Sequence, residues 1–555
     1  MSEGALIPVL EDSRLRPERT PAAGAAAPLE EVRGRFNRNV VMTIAARVIN
    51  MTRGVVLVPF LLAHIGLQAY GIWTTAFILV SYVGITTMGF SSVYMKYAAE
   101  FQARREFDRL NSLLSTGLAI TVPLCTVLFF AFYLGWNGYA HWLHLPPAHA
   151  ADGREAILIV LGVFLSSIAF NGFGDVLAGC QQIAPTQVFL MLGLLVEFGL
   201  ILLLVSHGRG IRGLAEAYLA RTLVDDGLTI WWAWRKLDWL HLSPRLVRRE
   251  SIRYVLHFGG MVQFQSFLDI FLSYFERVAA LGLIGVAAAG LMDVAKKWQN
   301  AFSSVPMAFF YALLPAASHV DAASSEAERK GNLRKLYLSS SRHSNLCTVA
   351  FVAVVAWWSS PILHVWLGNQ LPKGQMLVPL FVAFSIGMQW HMLTGPGTSM
   401  FRGMGRVYEE FSYSIPNVIL LAVTLPAARM IQGRWTALGI GIAVTVATIL
   451  SASILMGRVL FVLDLKLTQY LREVIVPGVV PYCVAGVLAW PVSRAVAASG
   501  RWTGAALILA FGIAYVAISA AILFRWFLMR EERAQMGEYL RRATAIFRRQ
   551  AAVTA

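Results

Sequence analysis

Apolar runs recur along this chain from about residue 40 to the 520s, separated by short polar connections. A helix needs about 20 apolar residues to cross a bilayer. Runs of that order lie near 40–64, 71–95, 112–135, 155–178, 186–206, 212–234 and 255–276. A second set lies near 287–316, 346–366, 375–400, 411–431, 436–459, 472–492 and 503–527. The pattern predicts an all-α polytopic membrane protein of about fourteen transmembrane helices, with twelve as the alternative count.

The connections alternate in charge. One side collects the N-terminal tail, "KYAAEFQARREFDR", "RKLDWLHLSPRLVRRESIR", "SEAERKGNLRK" and the C-terminal tail; the other holds "GLQAYG", "GWNGYAHWLHLPPAHAADG" and "WLGNQLPKGQ". Basic loops stay in the cytoplasm, which places both termini there and predicts an even number of spans. "SHGRGIRG" and "SRAVAASGRW" run against the rule with two arginines each on the outer side.

Composition sharpens the class. Of 555 residues, 57% are hydrophobic and 14% charged, against about 25% charged in soluble domains. The net charge of +16 would suggest nucleic acid in a soluble chain. Here the basic residues flank spans, so no nucleic-acid partner is expected and the lipid bilayer is the partner. The four cysteines are scattered singly, without metal or disulfide spacing. No nucleotide-binding glycine loop occurs, so no cofactor is expected and the chain reads as a non-enzyme.

The chain also repeats. "GLQAYGIW" from Gly66 pairs with "GVAAAGLM" from Gly285, a separation of 285 − 66 = 219 residues. "GCQQIAPTQVF" from Gly179 pairs with "GMGRVYEEFSY" from Gly403, 403 − 179 = 224 residues on. Near-equal offsets over six spans predict two parallel lobes related by a pseudo-two-fold axis along the membrane normal, with a cavity between them. The expected parts are a disordered tail (1–39), an N-lobe (40–236), a basic linker (237–254), a C-lobe (255–460), two extra helices (461–527) and a basic amphipathic tail (528–555). That last segment suits a helix on an anionic leaflet.

Ionisable residues inside spans cost about 2.5–3.5 kcal/mol each on insertion scales, so they face a cavity or a partner. Thr43, Arg47, Asn50 and Gly54 make one stripe of the first span, with Arg53 off that face. Gln265, Asp269, Ser273 and Glu276, then Arg277, stripe the seventh; Asp293, Lys297 and Asn300, with Lys296 beside them, stripe the eighth. Arg221 and Asp225, one turn apart, read as a neutralising pair. Asp175, Glu197 and Asp225 are the candidates for a coupling proton or sodium ion, and a Glu197–Arg221 pair is the bland alternative. His64, His141, His144, His364 and His391 lack metal spacing and read as rim or packing residues.

The stretch from Leu57 to Phe101 resembles the opening of the polysaccharide-transporter (Wzx-like) flippases of the multidrug/oligosaccharidyl-lipid/polysaccharide (MOP) exporter superfamily. The resemblance rests on Pro59, Gly66, Tyr70, Gly71, Trp73, Gly89, Lys96, Ala99 and Glu100, and extends to "ERVAALGLIGVAAAGLMDVA". Glu276 and Lys96 depart from its usual aspartate and arginine while keeping charge. The resemblance implies a flippase for polyprenyl-diphosphate-linked oligosaccharide working by alternating access, with no metal. Arg47, Arg53, Lys96, Arg277 and Lys297 would then be cavity cations for the diphosphate, and Asn50, Gln265, Asp269 and Asp293 polar lining. It implies a monomer working beside a polysaccharide polymerase and glycosyltransferases. In such a machine Gly66 and Gly71 let the outer rims of the lobes approach, while Tyr70 and Trp73 suit the membrane interface. The rival readings are a cation-coupled drug exporter of the same superfamily and a membrane-embedded polymerase or glycosyltransferase.

Overall fold

Why the helices end where they do is visible in the backbone. A computed structural model describes residues 29–84, 94–248, 267–370 and 376–527, apart from positions 96, 99, 103, 144, 324 and 325. Its long elements are α1 (Leu29–Gly84), α2 (Phe107–Leu134), α3 (Ala150–Gly179), α4 (Ile183–Ser206), α5 (Gly210–Lys236) and α6 (267–283). They continue with α7 (Val286–Ala323), α8 (Glu326–Leu367), α9 (Leu377–Gly403), α10 (Phe411–Gln432), α11 (Ala437–Val462), α12 (Val479–Ala497) and α13 (Arg501–Trp526). No strand occurs among the described residues.

Ten segments among the described residues are long and apolar enough to cross a membrane. One of them, Val41–Tyr82, is split at Gly66, where the backbone leaves the helix (φ 74°, ψ 172°). The helices α5, α6 and α7 occupy the places of the sixth to eighth spans without being among the ten. All three carry embedded charge, Arg221, Asp225 and Asp226 in α5, Glu276 and Arg277 in α6, and Asp293, Lys296 and Lys297 in α7, and the described part of α6 is also short.

The duplication is written into the breaks. Positive φ falls at Gly66 and Gly285, at Gln181 and Gly405, and at Gly208 and Gly433, positions that correspond under the repeat. The bond patterns also match: Gln182 N–H donates to the Leu177 carbonyl (2.8 Å) and Arg406 N–H to that of Phe401 (2.7 Å). Each bond satisfies a carbonyl that the last helical turn leaves open.

Three boundaries differ from the hydropathy reading. Helix begins at Leu29 inside the expected tail, the outer hairpin at His64–Trp73 is helical except for its break at Gly66, and "SEAERKGNLRK" is helical from Glu326 onward. Polar helix extending beyond the bilayer carries no hydropathy signal, so its length was invisible to apolar windows. The first part of the linker lies against α2: Asn111 Nδ2 donates to the Trp239 carbonyl (2.7 Å), and Ser112 Oγ to that of Leu246 (2.7 Å). The expected basic tail at 528–555 lies outside the described residues.

We use inner and outer in the sense set by the loop charges. On the outer side the two lobes meet backbone to backbone. A Cβ on Gly71 would stand 2.0 Å from the Val286 carbonyl oxygen, and one on Gly290 would stand 2.9 Å from Gly71 Cα. Only glycine permits that approach. Tyr70 and Trp73 are buried, at 2% and 9% exposure, so they serve this packed interface instead of a headgroup layer. Trp73 packs edge-on against Phe77 (4.9 Å between centroids) and Tyr218 (6.4 Å).

Candidate functional site

Two stripes of polar side chains, one per lobe, face each other across the interface. On α1, helical spacing puts Thr43, Arg47, Asn50 and Gly54 on one face. A Cβ on Gly54 would meet Lys297 Cε at 3.7 Å, so that face looks at α7 of the other lobe. On α7, Asp293, Lys297 and Asn300 share a face in the same way. Outward of the Gly54–Lys297 contact the lobes are shut. Inward of it, Arg47, Asn50 and Asn300 are all exposed. Among the described residues the interface is therefore closed toward the outer side, and its inner part leaves these three side chains accessible.

The closed part contains a buried ion cluster. Arg277 Nη1 lies 2.9 Å from Asp293 Oδ1, Lys297 Nζ 3.2 Å from Asp293 Oδ2, and Lys296 Nζ 2.7 Å from Glu276 Oε1. Arg277 Nε stands 3.8 Å from Glu276. The Tyr70 hydroxyl enters from the N-lobe and donates to Asp293 Oδ2 at 2.5 Å. This hydrogen bond ties α1 to α7 across the interface. Tyr82 adds a second tie, donating to the Phe271 carbonyl at 3.3 Å.

A second cluster lies within the N-lobe. Arg53 is ion-paired to Glu197 of α4, and Arg221 of α5 approaches the same carboxylate at 3.6 Å. Arg53 also donates to Asn50 Oδ1 at 3.2 Å. Glu197 is almost fully buried, so it neutralises charge where water cannot. Breaking a buried pair from one side typically costs about 3–5 kcal/mol. Glu197→Gln should therefore lower the melting temperature of the purified protein in detergent by several degrees. An unchanged transition would show that Arg53 and Arg221 are solvated without it.

Several expected site residues thus sit differently from one shared open cavity. Arg277, Lys297 and Asp293 lie in the shut interface, tied to one another, because opposite charges on adjacent turns and helices settle together once desolvated. Arg53 is committed to Glu197, and Arg221 turns to Glu197, not to Asp225 as its sequence neighbour. Asp226 accepts from Ser167 Oγ (2.7 Å), and Asp175 accepts from Asn171 Nδ2 (3.1 Å). Arg47 is exposed and makes no ion pair among the described residues. Asp269 is exposed on α6, its carbonyl accepting from Ser273 (2.6 Å). Lys96 and Gln265 lie outside the described residues.

The sequence reading missed two features. Lys296 was placed beside its stripe, yet it pairs with fully buried Glu276 and lies 5.5 Å from the Phe384 ring centroid. His391, read as rim or packing, is solvent-accessible midway along α9 and shares a hydrogen bond with the Tyr413 hydroxyl of α10 (2.8 Å). The pair joins α9 to α10 within the C-lobe. The only sequence signal of His391 was its central place in an apolar run.

Comparison with known proteins agrees with this architecture. No family model matches the chain. The "uncharacterized membrane protein EpsK" of Bacillus subtilis (strain 168) is 20% identical over 509 residues, covering 90% of this chain and 97% of its own. Among solved structures, a multidrug resistance MATE family transporter of the MOP superfamily in an inward-facing conformation superposes with a TM-score of 0.61. It is 14% identical and covers 76% of this chain and 94% of its own. The lipid II flippase MurJ in an inward closed conformation also gives 0.61, at 12% identity over 88% of this chain and 98% of its own. An outward-facing MATE structure gives 0.54, at 14% identity over 78% of this chain and 95% of its own. The fold is therefore that of the MOP-superfamily transporters, a multi-pass helical membrane architecture.

Proposed function

We propose that this chain is a flippase that moves a polyprenyl-diphosphate-linked oligosaccharide from the inner to the outer leaflet of the cytoplasmic membrane, for cell-surface or exopolysaccharide synthesis. The observation that carries the reading is Arg47, exposed on the α1 stripe that faces the other lobe and without an ion pair among the described residues. Outward of it the interface cluster holds three cations, Arg277, Lys296 and Lys297, for two carboxylates, Glu276 and Asp293. To that surplus exposed Arg47 adds a charge that pairs with no carboxylate among the described residues. A diphosphate needs such compensation to leave water, and the guanidinium fork matches phosphate oxygens. The prenyl tail would stay in lipid while phosphate and glycan pass between the lobes.

The fold likeness supports transport in place of catalysis, and the MurJ likeness supports a lipid-linked cargo. On this reading the protein works as a monomer, alternating between inward- and outward-open states, beside polymerase and glycosyltransferases of its pathway. Asp175, Asp225 and the Glu197 cluster are the places where a proton or sodium ion would couple. The test is mass spectrometry of lipid-linked saccharides in a deletion strain. Accumulation of one undecaprenyl-linked repeat unit supports the reading, and an unchanged lipid profile removes it.

The same reading puts both termini in the cytoplasm. Reporter fusions after residues 30 and 550 should both register as cytoplasmic. A periplasmic signal from either would contradict the even span count.

A further inference from the structure

α1 carries Pro59 inside a continuous helical stretch. Proline has no N–H, so the carbonyl of Val55, four residues earlier, finds no donor in its own helix. Within a membrane such an acceptor must be satisfied by something else. Here the donor belongs to the other lobe: the Trp366 indole Nε1–H donates to the Val55 carbonyl at 2.9 Å. Trp366 lies in the last turn of α8 and is 8% exposed. Its ring meets Trp298 of α7 edge-on, 5.7 Å between centroids at 87°.

Trp366 is also held from behind. Arg501, the first residue of α13, donates through Nε to the Val365 carbonyl (2.9 Å) and through Nη2 to the Trp366 carbonyl (2.7 Å). These are carbonyls of the last turn of α8, which have no helical donor of their own. A cation at a helix C-terminus also complements the dipole there. The last span therefore fixes the backbone from which the indole reaches across.

We infer that Trp366 is a gate residue of the outer side, satisfying the carbonyl orphaned by Pro59 only while the lobes are closed there, and that Arg501 is the positioning residue that ties the last span to this gate. The inference rests on the alternating-access reading. The hydrogen bond joins α1 of the N-lobe to α8 of the C-lobe, so separation of the lobes on the outer side breaks it. It then favours the inward-facing state by the difference between a satisfied carbonyl and one left to find water. Proline is an essential part of the device, because any other residue at position 59 would give Val55 a donor that is present in both states.

The test uses full-length protein in liposomes, with the four native cysteines replaced by alanine and Val286→Cys as reporter. Val286 is 4% exposed and its carbonyl stands against Gly71 in the closed interface. A membrane-impermeant maleimide added from the outer side should label the parent slowly. Trp366→Phe keeps the ring packing and removes the donor, so labelling should rise about 5- to 10-fold, the scale of one lost hydrogen bond. Arg501→Ala should raise it in the same direction.

In a Pro59→Ala background, Trp366→Phe should change the rate less than about twofold, since the Val55 carbonyl then accepts from the N–H of residue 59. Mere loosening around Trp366 would act equally in both backgrounds. Parental labelling in Trp366→Phe, or its full effect persisting with Pro59→Ala, would overturn the inference. Labelling reads the gate without any substrate, so a failed flippase assignment and a failed gate remain distinguishable.

Discussion

Arg47→Ala is expected to slow transport by roughly ten- to a hundredfold while leaving folded protein in the membrane at wild-type abundance. The expectation follows from where Arg47 sits: on the stripe that faces the other lobe, inward of the Gly54–Lys297 contact, exposed and without an ion-pair partner among the described residues. Removing a cation that nothing buried depends on should leave the melting temperature within a degree or two. Removing a charge-assisted contact to a phosphate costs about 1.5–3 kcal/mol, or roughly ten- to a hundredfold in transport rate. Arg47→Lys should retain part of the activity, because charge survives while the bidentate fork is lost. Abundance, melting temperature and flipping of lipid-linked saccharide in the same preparations decide the matter. Lost activity with lost protein would make Arg47 a structural residue, and wild-type flipping by the alanine variant would remove it from the site.

The second large effect is expected at the outer contact. Gly71→Ala places a methyl group 2.0 Å from the Val286 carbonyl oxygen and 2.7 Å from its carbon, a position no real contact occupies. The neighbour is backbone, so no side chain can swing aside. Alanine itself suits the helix better than glycine, and the penalty therefore falls on the meeting of the lobes, not on α1. The variant should be folded, biased toward the outer-open state and at least tenfold slower in transport. Distances between spin labels on the outer turns of α1 beside Gly66 and of α7 beside Val286 should lengthen relative to wild type. Gly199→Ala, where a Cβ meets nothing within 4 Å, should behave as wild type and serves as the control. An unchanged distance and rate for Gly71→Ala would mean that the two hairpins need not touch during the cycle.

Much of the fold was legible because membrane crossing demands long apolar runs, and duplication repeats its breaks. Gly66 and Gly285 were readable as partners from spacing alone, and both take positive φ. Helical extensions such as the N-terminal turns of α8 were illegible because polar helix outside the bilayer looks like loop. The site was legible as a set of embedded charges but not as a set of partners. Arg53, Glu197 and Arg221 come from three helices, and one-dimensional spacing favoured Arg221 with Asp225 instead. Tyr70 looked like a headgroup anchor because aromatic residues in outer hairpins often are. Its role as a donor to Asp293 depends on a residue 223 positions away. Trp366 was equally hidden: its acceptor is a backbone atom exposed by a proline in the opposite lobe.

The polar helices α6 and α7 also bear on how the chain enters the membrane. Each carries charges that an isolated helix could not bring into hydrocarbon cheaply. Their carboxylates and cations neutralise one another across the tight outer turn at Ile284–Gly285, Glu276 with Lys296 and Arg277 with Asp293. Insertion as one hairpin lets the charges enter already paired, whereas a chain cut between the two helices would present Glu276 and Arg277 without their partners. Translocation machinery should therefore retain α6 until α7 has emerged from the ribosome. In a nascent chain stalled while α7 is still inside the ribosome, α6 should remain cross-linkable to the translocation machinery, and once α7 has emerged that cross-link should be lost.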